Sequence, residues 1–112
     1  AYACNNLGVL YKNGKGVKRN FTKASQLFNK ACASNIASGC YNLGVLYENA
    51  QGLNQDYKKA KQLYQKACDS GDAHSCYNLG ALYKNGKGVI KDEKKANQLY
   101  EKACKDGGCS RK

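Results

Sequence analysis

Proline, methionine and tryptophan are absent from the 112 residues, and His74 is the single histidine. Acidic residues are scarce, with 8 Asp and Glu against 19 Lys and Arg, so the net charge is +11. No apolar run approaches the ~20 residues that a membrane-spanning helix needs. The chain opens without an initiator methionine or an apolar signal segment, so we expect a processed product or an excised piece. An apolar content of 42% excludes a disordered composition.

The motifs of common hydrolases and metalloenzymes are missing as well. No serine begins an S-x-x-K motif, and K-T-G and S-D-N are absent, which excludes the usual serine β-lactamase machinery. With one histidine and no C-x-x-C, a four-ligand zinc site is hard to assemble. Gly14 and Gly16 lack the third glycine and the preceding strand of a phosphate loop. We therefore predict no catalytic residue, metal or cofactor, and we interpret His74 as an exposed residue of an inter-repeat loop.

What the chain does contain is an internal repeat with a period of 36 residues. The block C-Y-N-L-G-V-L-Y begins at Cys40, recurs with one change at Cys76 and appears as C-N-N-L-G-V-L-Y at Cys4. A second block, from Lys-Ala to Ala-Cys, keeps the same period and occupies residues 23–32, 59–68 and 95–104. Such self-similarity predicts one repeat domain over residues 1–108, with a short basic tail at 109–112. The copies are 1–36, 37–72 and 73–108.

The spacing of apolar residues predicts two helices in each copy. In the second block they fall at i, i+3, i+4, i+7 and i+8, which lays one apolar stripe along a helix. The middle copy places Ala60, Leu63, Tyr64, Ala67 and Cys68 on that stripe. Strand-like alternation is absent, and one hairpin cannot bury its stripe alone. The sequence therefore predicts an all-α fold, an α/α solenoid of stacked hairpins.

Residues at fixed positions in the period predict where these helices begin and end. The N-cap acceptors of the second helices are Asn20, Asp56 and Asp92. The left-handed residues that end the second helices are Asn35, Gly71 and Gly107. The C-caps of the first helices are Asn13, Asn49 and Asn85. A mid-helix glycine costs about 1 kcal/mol relative to alanine, so Gly44 and its two counterparts predict a close approach between helices.

The pattern C-Y-N-L-G-x-L-Y-x-N-G-x-G-V, followed by K-A-x-Q-L-Y-x-K-A-C, resembles the Sel1-like repeat. The cysteines at the start of one helix and the end of the other resemble the Helicobacter cysteine-rich protein family, the secreted, disulfide-bridged branch of these repeats. The resemblance covers nearly the whole chain. It implies a right-handed superhelix related to tetratricopeptide arrays, a secreted or periplasmic location and interaction with a partner protein. It also implies an alternative function, penicillin binding with weak β-lactamase activity.

Seven cysteines favour an oxidising compartment, and their spacing allows two pairing registers. One register joins the two ends of a single hairpin, as in Cys40–Cys68. The other joins the end of one hairpin to the start of the next, and reach alone does not decide between them. In the family, a seven-residue spacer marks the bridged pair. The resemblance therefore implies the bridges Cys32–Cys40 and Cys68–Cys76. The same register would give a shortened Cys104–Cys109 and leave Cys4 unpaired. Because only four residues separate Cys104 from Cys109, the alternatives for this last pair are a short strained ring and two free thiols.

The positive charge is uneven along the chain, since residues 1–36 carry six basic and no acidic groups. Seventeen of the 19 cations are lysine, whereas bidentate recognition of phosphates and bases favours arginine. We therefore predict a solvated, lysine-rich helical surface and no nucleic-acid partner. An anionic partner is left open.

A row of asparagines in the first helices is the candidate binding surface. Asn6, Asn42 and Asn78 recur at the 36-residue period, and a carboxamide offers donors and an acceptor to an extended peptide backbone. In related solenoids the first helices line the concave groove, so the resemblance implies a protein or peptide ligand there. Apolar contacts are expected from Tyr41, Tyr77, Val9 and Val45. Alternatively, the asparagines bond within the array; a β-lactam is the second ligand class.

Overall fold

In the computed structural model, which describes residues 2–14, 18–49 and 54–105, every regular element is helical. The helices are α1 (Tyr2–Asn13), α2 (Phe21–Ala33), α3 (Ala37–Glu48), α4 (Tyr57–Asp69), α5 (Ala73–Asn85) and α6 (Glu93–Ala103). Each helix packs against the next one in the chain, so the hairpins α1–α2, α3–α4 and α5–α6 stack in sequence order. This arrangement confirms the predicted α/α solenoid.

The second helix of every hairpin begins in the same way. The side chains of Asn20, Asp56 and Asp92 each accept a 3.0 Å hydrogen bond from the backbone N–H three residues later, which confirms the predicted N-caps. The backbone N–H of each cap donates in turn to a tyrosine carbonyl near the end of the preceding helix. Those carbonyls belong to Tyr11, Tyr47 and Tyr83, at 2.8, 3.1 and 2.9 Å. The cap therefore also closes the hairpin turn.

The first helices end differently from one copy to another. Asn49 is the C-cap of α3, as predicted, but the C-cap of α5 is Gly86, with φ of 67°. The prediction is therefore wrong for Asn85, which is the last residue of α5. Asn13 likewise ends α1, and the following Gly14 has φ of 70°. Because glycine has no Cβ, it takes the left-handed conformation more readily than asparagine does. Where a glycine follows the asparagine, the glycine is therefore the left-handed residue at the helix end.

The connections between hairpins follow the predicted terminators. Asn35 and Gly71 have φ of 66° and 94°, while Gly107 lies outside the described residues. Sequence analysis missed the N-cap of α5: one carboxylate oxygen of Asp72 accepts from the Ser75 backbone N–H at 3.0 Å and from its hydroxyl at 2.6 Å. The period carries no signal for this cap, because the equivalent residue before α3 is Ile36, which makes no side-chain cap.

Close contact between the helices of one hairpin depends on a glycine. A Cβ built on Gly44 would lie 2.8 Å from Cε1 of Tyr64, which is closer than Cβ atoms come to other heavy atoms in proteins. The same relation holds for Gly8 with Phe28 and for Gly80 with Tyr100, at 2.7 and 2.9 Å. The close approach predicted from the mid-helix glycines is therefore confirmed, and an aromatic ring of the second helix is what comes close.

The core continues from one hairpin to the next. Ala24 and Phe28 of α2 pack with Leu43 and Leu46 of α3, and all four are buried. A larger cluster joins α4, α5 and α6 and contains Ala60, Tyr64, Cys68, Cys76, Leu79, Leu82, Leu99 and Ala103. The leucines of each later first helix thus pack on the second helix of the hairpin before it. This contact is the main apolar interface between repeats.

Two disulfides join the stacked hairpins. The bridges Cys32–Cys40 and Cys68–Cys76 link the end of one second helix to the start of the next first helix, which confirms the register implied by the resemblance. Cys104 is also disulfide-bonded, and its predicted partner, Cys109, lies outside the described residues. Cys4 is free and half-buried, as this register implies.

Candidate functional site

The predicted binding residues differ in how open they are to solvent. Asn6 is exposed, and Tyr77 keeps 53% of its surface accessible. The others are half-buried. We call the whole set the first-helix face, and it consists of Asn6, Val9, Tyr41, Asn42, Val45, Tyr77 and Asn78. All seven residues therefore lie on the first helices. Two of them are exposed to solvent, Asn6 in the first repeat and Tyr77 in the last.

The apolar members of the first-helix face also support the stacking. Val9 packs against the cluster that contains Leu43, and Tyr41 and Val45 pack against the cluster that contains Leu79. Each of these clusters contains residues of two or more repeats. Tyr77 lies in the third repeat, and among the described residues no later hairpin packs over it.

A chain of side-chain amides links α1 to α3. Asn42 Nδ2 donates to Asn5 Oδ1 at 3.1 Å, and Asn5 Nδ2 donates to Ser38 Oγ at 3.1 Å. Asn5 is only 8% exposed. Sequence reasoning missed both Asn5 and Ser38, although Asn5 departs from the period by standing where the later copies have Tyr41 and Tyr77. The Asn42 carboxamide is therefore fixed in one orientation by the neighbouring repeat.

A second polar chain runs through the middle hairpin. The Tyr64 hydroxyl donates to Glu48 Oε1 at 2.7 Å. Tyr64 is fully buried. Burial, followed by the hydrogen bond and the negative charge of Glu48, raises the pKa of Tyr64 far above its ordinary value. The phenol therefore stays protonated and acts as a hydrogen-bond donor.

Aromatic rings cluster around the two tyrosines of the face. The ring of Tyr41 lies 6.0 Å from the rings of both Tyr64 and His74, and Tyr77 lies 5.1 Å from Tyr100. Burial, together with Tyr77, raises the pKa of Tyr100. His74 is exposed as predicted, but it stands in the first turn of α5 and not in a loop. The Asp72 cap explains this difference, because it starts the helix at Ala73.

A pocket of about 300 Å³ lies between α2, α3 and α4. Its lining is formed by Asn29, Cys32, Leu43, Tyr47, Lys59, Gln62, Leu63 and Lys66. Lys66 Nζ lies 3.2 Å from the carbonyl oxygen of Cys32 and bonds to it across the repeat boundary. Sequence reasoning did not find this pocket, because its walls come from two repeats and its lysines resemble an ordinary polar face.

Several cations cover aromatic rings at the hairpin turns. Lys23 lies over Tyr11 at 5.9 Å, and Lys95, its counterpart two repeats later, lies over Tyr83 at 5.6 Å. Lys87 lies over Tyr57 at 5.4 Å. Such contacts are worth about 0.5–1 kcal/mol at exposed sites. Part of the excess lysine therefore has a structural role at the surface.

Across 2–14, 18–49 and 54–105, no three His, Cys, Asp or Glu side chains are grouped so that they could hold a metal ion. None of the helices in this part of the chain combines the length and apolarity required to cross a membrane.

Comparison with known proteins gives one consistent family. The Sel1 repeat model matches residues 1–36, 37–72 and 73–108. No curated protein matches the chain. Among solved structures, a Sel1 repeat protein from Oxalobacter formigenes superposes with a TM-score of 0.90 at 30% identity, covering 95% of this chain and 43% of that protein.

Two further structures extend the comparison. A protective antigen of uropathogenic Escherichia coli strains with an SLR fold superposes with a TM-score of 0.90 at 29% identity. The match covers 96% of this chain and 23% of that protein. Cysteine rich protein B of Helicobacter pylori superposes with a TM-score of 0.80 at 37% identity. The match covers 94% of this chain and 81% of that protein. The chain thus spans less than half of the first two proteins and most of the third.

Proposed function

This chain belongs to the Sel1-repeat family, and we propose that it is an extracytoplasmic, disulfide-bridged module that binds a protein or peptide through its first-helix face. The observation that carries the proposal is the fixed carboxamide of Asn42, which the buried Asn5 holds at the surface of α3. A carboxamide has two N–H donors and a carbonyl acceptor. Because Asn5 takes one donor, the second donor and the carbonyl can serve a bound chain.

Preorganisation is the physical reason for choosing this face. An amide that is already oriented loses little conformational entropy when it bonds a ligand, so more of the interaction energy remains as affinity. Tyr77, exposed by 53% and supported by the ring of Tyr100, offers an apolar contact with a polar end. Tyrosines of this kind are common at protein interfaces. The net charge of +11 favours peptides that carry acidic residues.

The proposed location follows from the cysteines. Two disulfides are buried, with no cysteine of either bridge more than 5% exposed. Thiols in the cytosol are kept reduced by glutathione, and stable bridges of this kind are found mainly in secreted and periplasmic proteins. The similarity to a cysteine rich protein at 37% identity agrees with this. No observation on the described residues favours β-lactam hydrolysis, and that alternative is not proposed.

Binding is tested with peptides selected by display against the folded, disulfide-intact protein. Asn6→Ala and Tyr77→Ala change the two exposed positions of the face, so we expect weaker binding with an unchanged melting temperature. For the pair of substitutions, the loss is expected to exceed tenfold, or about 1.4 kcal/mol. Isothermal titration calorimetry with one selected peptide measures it.

The matched control changes polar residues of the second helices in the same manner. Gln62→Ala and Gln98→Ala remove exposed amides of α4 and α6 and should leave the affinity within about twofold of wild type. Equal losses from both pairs, or losses from the control pair only, would contradict the assignment to the first-helix face. Asn42→Ala also breaks the hydrogen bond to Asn5, so it changes stability as well as binding. The peptide affinity of this variant must therefore be expressed per folded molecule.

A further inference from the structure

The pocket between α2, α3 and α4 combines positive charge with an apolar wall. Leu43 in its lining is only 5% exposed, and Leu63 beside it is half-buried. The polar groups of the lining are two ammonium groups, from Lys59 and Lys66, two carboxamides and one phenol. None of the eight described lining residues is acidic. The pocket therefore offers cations and hydrogen-bond donors next to an apolar surface.

One of the two cations is held in place by a contact between repeats. Lys66 Nζ donates from α4 to the carbonyl oxygen of Cys32, in the last turn of α2, at 3.2 Å. Cys32 is fixed in turn by its disulfide to Cys40. An ammonium group has three donors, so two N–H groups of Lys66 remain for a ligand. Because this cation is already positioned, less side-chain entropy is lost when it binds an anion.

The next repeat boundary differs from this one by a carboxylate. There the position of Asn29 is taken by Gln65, whose Nε2 donates to Asp69 Oδ1 at 3.0 Å. The residue of α2 that corresponds to Asp69 is Ala33, which carries no charge. A carboxylate beside the amide would repel an anionic ligand. The electrostatics therefore favour an anion at the boundary between the first two hairpins, although the residue period is the same at both boundaries.

We propose that this pocket binds the C-terminal residue of a peptide that ends in an apolar amino acid. The terminal carboxylate is held by Lys59 and Lys66, and the last side chain lies against Leu63. The proposal is independent of what the first-helix face binds. A peptide whose C-terminus is a carboxamide does not use this pocket, so the two sites can be tested separately.

The chemistry of the lining distinguishes this ligand from other anions. Phosphate is recognised best by the planar fork of arginine, and it makes no use of an apolar wall. An aspartate or glutamate side chain brings a carboxylate without an apolar group beside it. A C-terminal residue carries its carboxylate and its side chain on one carbon atom, and C-termini are a recurring target of peptide recognition. A volume of about 300 Å³ is at the lower end of the range for ligand pockets, which suits one such residue.

The probe is an acetylated hexapeptide, Gly-Ser-Gly-Ser-Gly-Leu, with a free carboxylate, titrated into the folded, disulfide-intact protein. We expect it to bind on the order of tenfold more tightly than the same peptide with a C-terminal carboxamide, because hydrogen bonds to a charged group are stronger than neutral ones. A free-acid peptide that ends in serine should bind about fivefold more weakly than the leucine peptide, since it lacks the apolar side chain.

NMR locates the bound peptide. The side-chain amide signals of Asn29 and Gln62, which line the pocket, should shift as the free-acid peptide is added. The side-chain amides of the first-helix face should stay in place, and these belong to Asn6, Asn42 and Asn78. Shifts at the first-helix asparagines without shifts at Asn29 and Gln62 would overturn the proposal, because the peptide would then bind elsewhere.

Two protein variants of equal net charge separate the pocket from the general positive charge. Lys59→Met removes a cation of the lining and should weaken binding of the free-acid leucine peptide about threefold to fivefold. Lys58→Met removes the neighbouring cation of α4, which is outside the lining, and should change this affinity by less than about twofold. Both lysines are exposed, so both variants should fold, and circular dichroism checks this.

Three further results would contradict the assignment. Equal affinities of the free-acid and carboxamide peptides would show that no carboxylate is recognised. Equal losses in Lys58→Met and Lys59→Met would assign the attraction to the charge of the whole protein. Binding of N-acetyl-leucine without binding of the hexapeptide would show that the pocket accepts a free acid and excludes a peptide chain.

Discussion

The Tyr64 hydroxyl donates a 2.7 Å hydrogen bond to Glu48 Oε1, and this pair joins the two helices of the middle hairpin at a fully buried ring. The other hairpins cannot form it. Phe28 replaces the tyrosine in the first copy, and lysines replace the glutamate in the first and third copies, as Lys12 and Lys84. The middle hairpin therefore combines the shared ring-on-glycine packing with a polar contact of its own.

Removing this hydroxyl tests the contact directly. Tyr64→Phe keeps the ring that Phe28 supplies in the first copy and loses the hydrogen bond to a carboxylate. We expect the free energy of unfolding to fall by about 1–2 kcal/mol, since hydrogen bonds to charged groups contribute more than neutral ones. Urea unfolding measures the change. A decrease below about 0.3 kcal/mol would mean that Glu48 binds water equally well.

The same pair predicts a pH dependence. Because the pKa of Tyr64 is raised in the folded protein, the unfolded chain loses this proton first as the pH rises above about 10. Unfolding is then favoured, so the contribution of this residue is complete below pH 10 and falls above it. Wild type should lose stability between pH 9.5 and 11 more steeply than Tyr64→Phe. Parallel profiles of the two proteins would contradict the raised pKa.

Gly44 allows the close helix approach, and its replacement should be unfavourable despite alanine's better helix propensity. Alanine gains about 1 kcal/mol in a helix, but its Cβ would lie 2.8 Å from the Tyr64 ring, and overpacking costs about 1–3 kcal/mol. We therefore expect Gly44→Ala to destabilise. Thermal unfolding of Gly44→Ala, Tyr64→Leu and the double variant forms a cycle. The smaller side chain should relieve the crowding, so additive effects would contradict this explanation.

The N-caps offer a substitution with a natural control. Asp56→Ala should destabilise by about 1 kcal/mol, because the Lys59 N–H loses its acceptor. Asp56→Asn should retain most of the stability, since Asn20 caps the first hairpin with the same geometry. Urea midpoints of the three proteins compare them. Equal losses for alanine and asparagine would assign the effect to charge at the helix N-terminus and not to the hydrogen bond.

The disulfides should contribute much of the stability of such a small array. Cys68→Ala with Cys76→Ala removes a bridge that closes a short loop, and we expect a loss of about 2–3 kcal/mol. Cys4→Ala, at the free cysteine, is the matched control and should change the unfolding free energy by about 0.5 kcal/mol or less. Similar losses in the two variants would show that the cysteines act by packing and not as cross-links.

The fold could be predicted from the sequence largely because the apolar stripes and the N-caps of the second helices recur in all three copies. The apolar stripe through Ala60 and Tyr64 and the caps at Asn20, Asp56 and Asp92 are local patterns, and the structure contains them as expected. The register Cys32–Cys40 required the family resemblance, since both registers bring helix ends together. Asn85 and His74 were misplaced because a neighbouring residue, Gly86 or Asp72, forms the cap.

The candidate site was harder to predict, because its polar contacts cross between repeats. The bond between Asn42 and Asn5 joins residues 37 positions apart, and Asn5 interrupts the period at that place. The Tyr64 and Glu48 pair uses a combination found in one copy only. Periodicity identifies the residues that the three copies share. These polar contacts depend on residues that differ between the copies, and predicting them requires the positions of the neighbouring helices.

Binding through the first-helix face is tested most directly by mapping a selected, tightly bound peptide on the folded protein by NMR. The account predicts that the side-chain amide signals of Asn6, Asn42 and Asn78, and the ring signals of Tyr77, shift on titration. The amides of Gln62 and Gln98 on the second helices should stay in place. Shifts confined to the second helices, with unchanged asparagine amides, would contradict binding through the first-helix face.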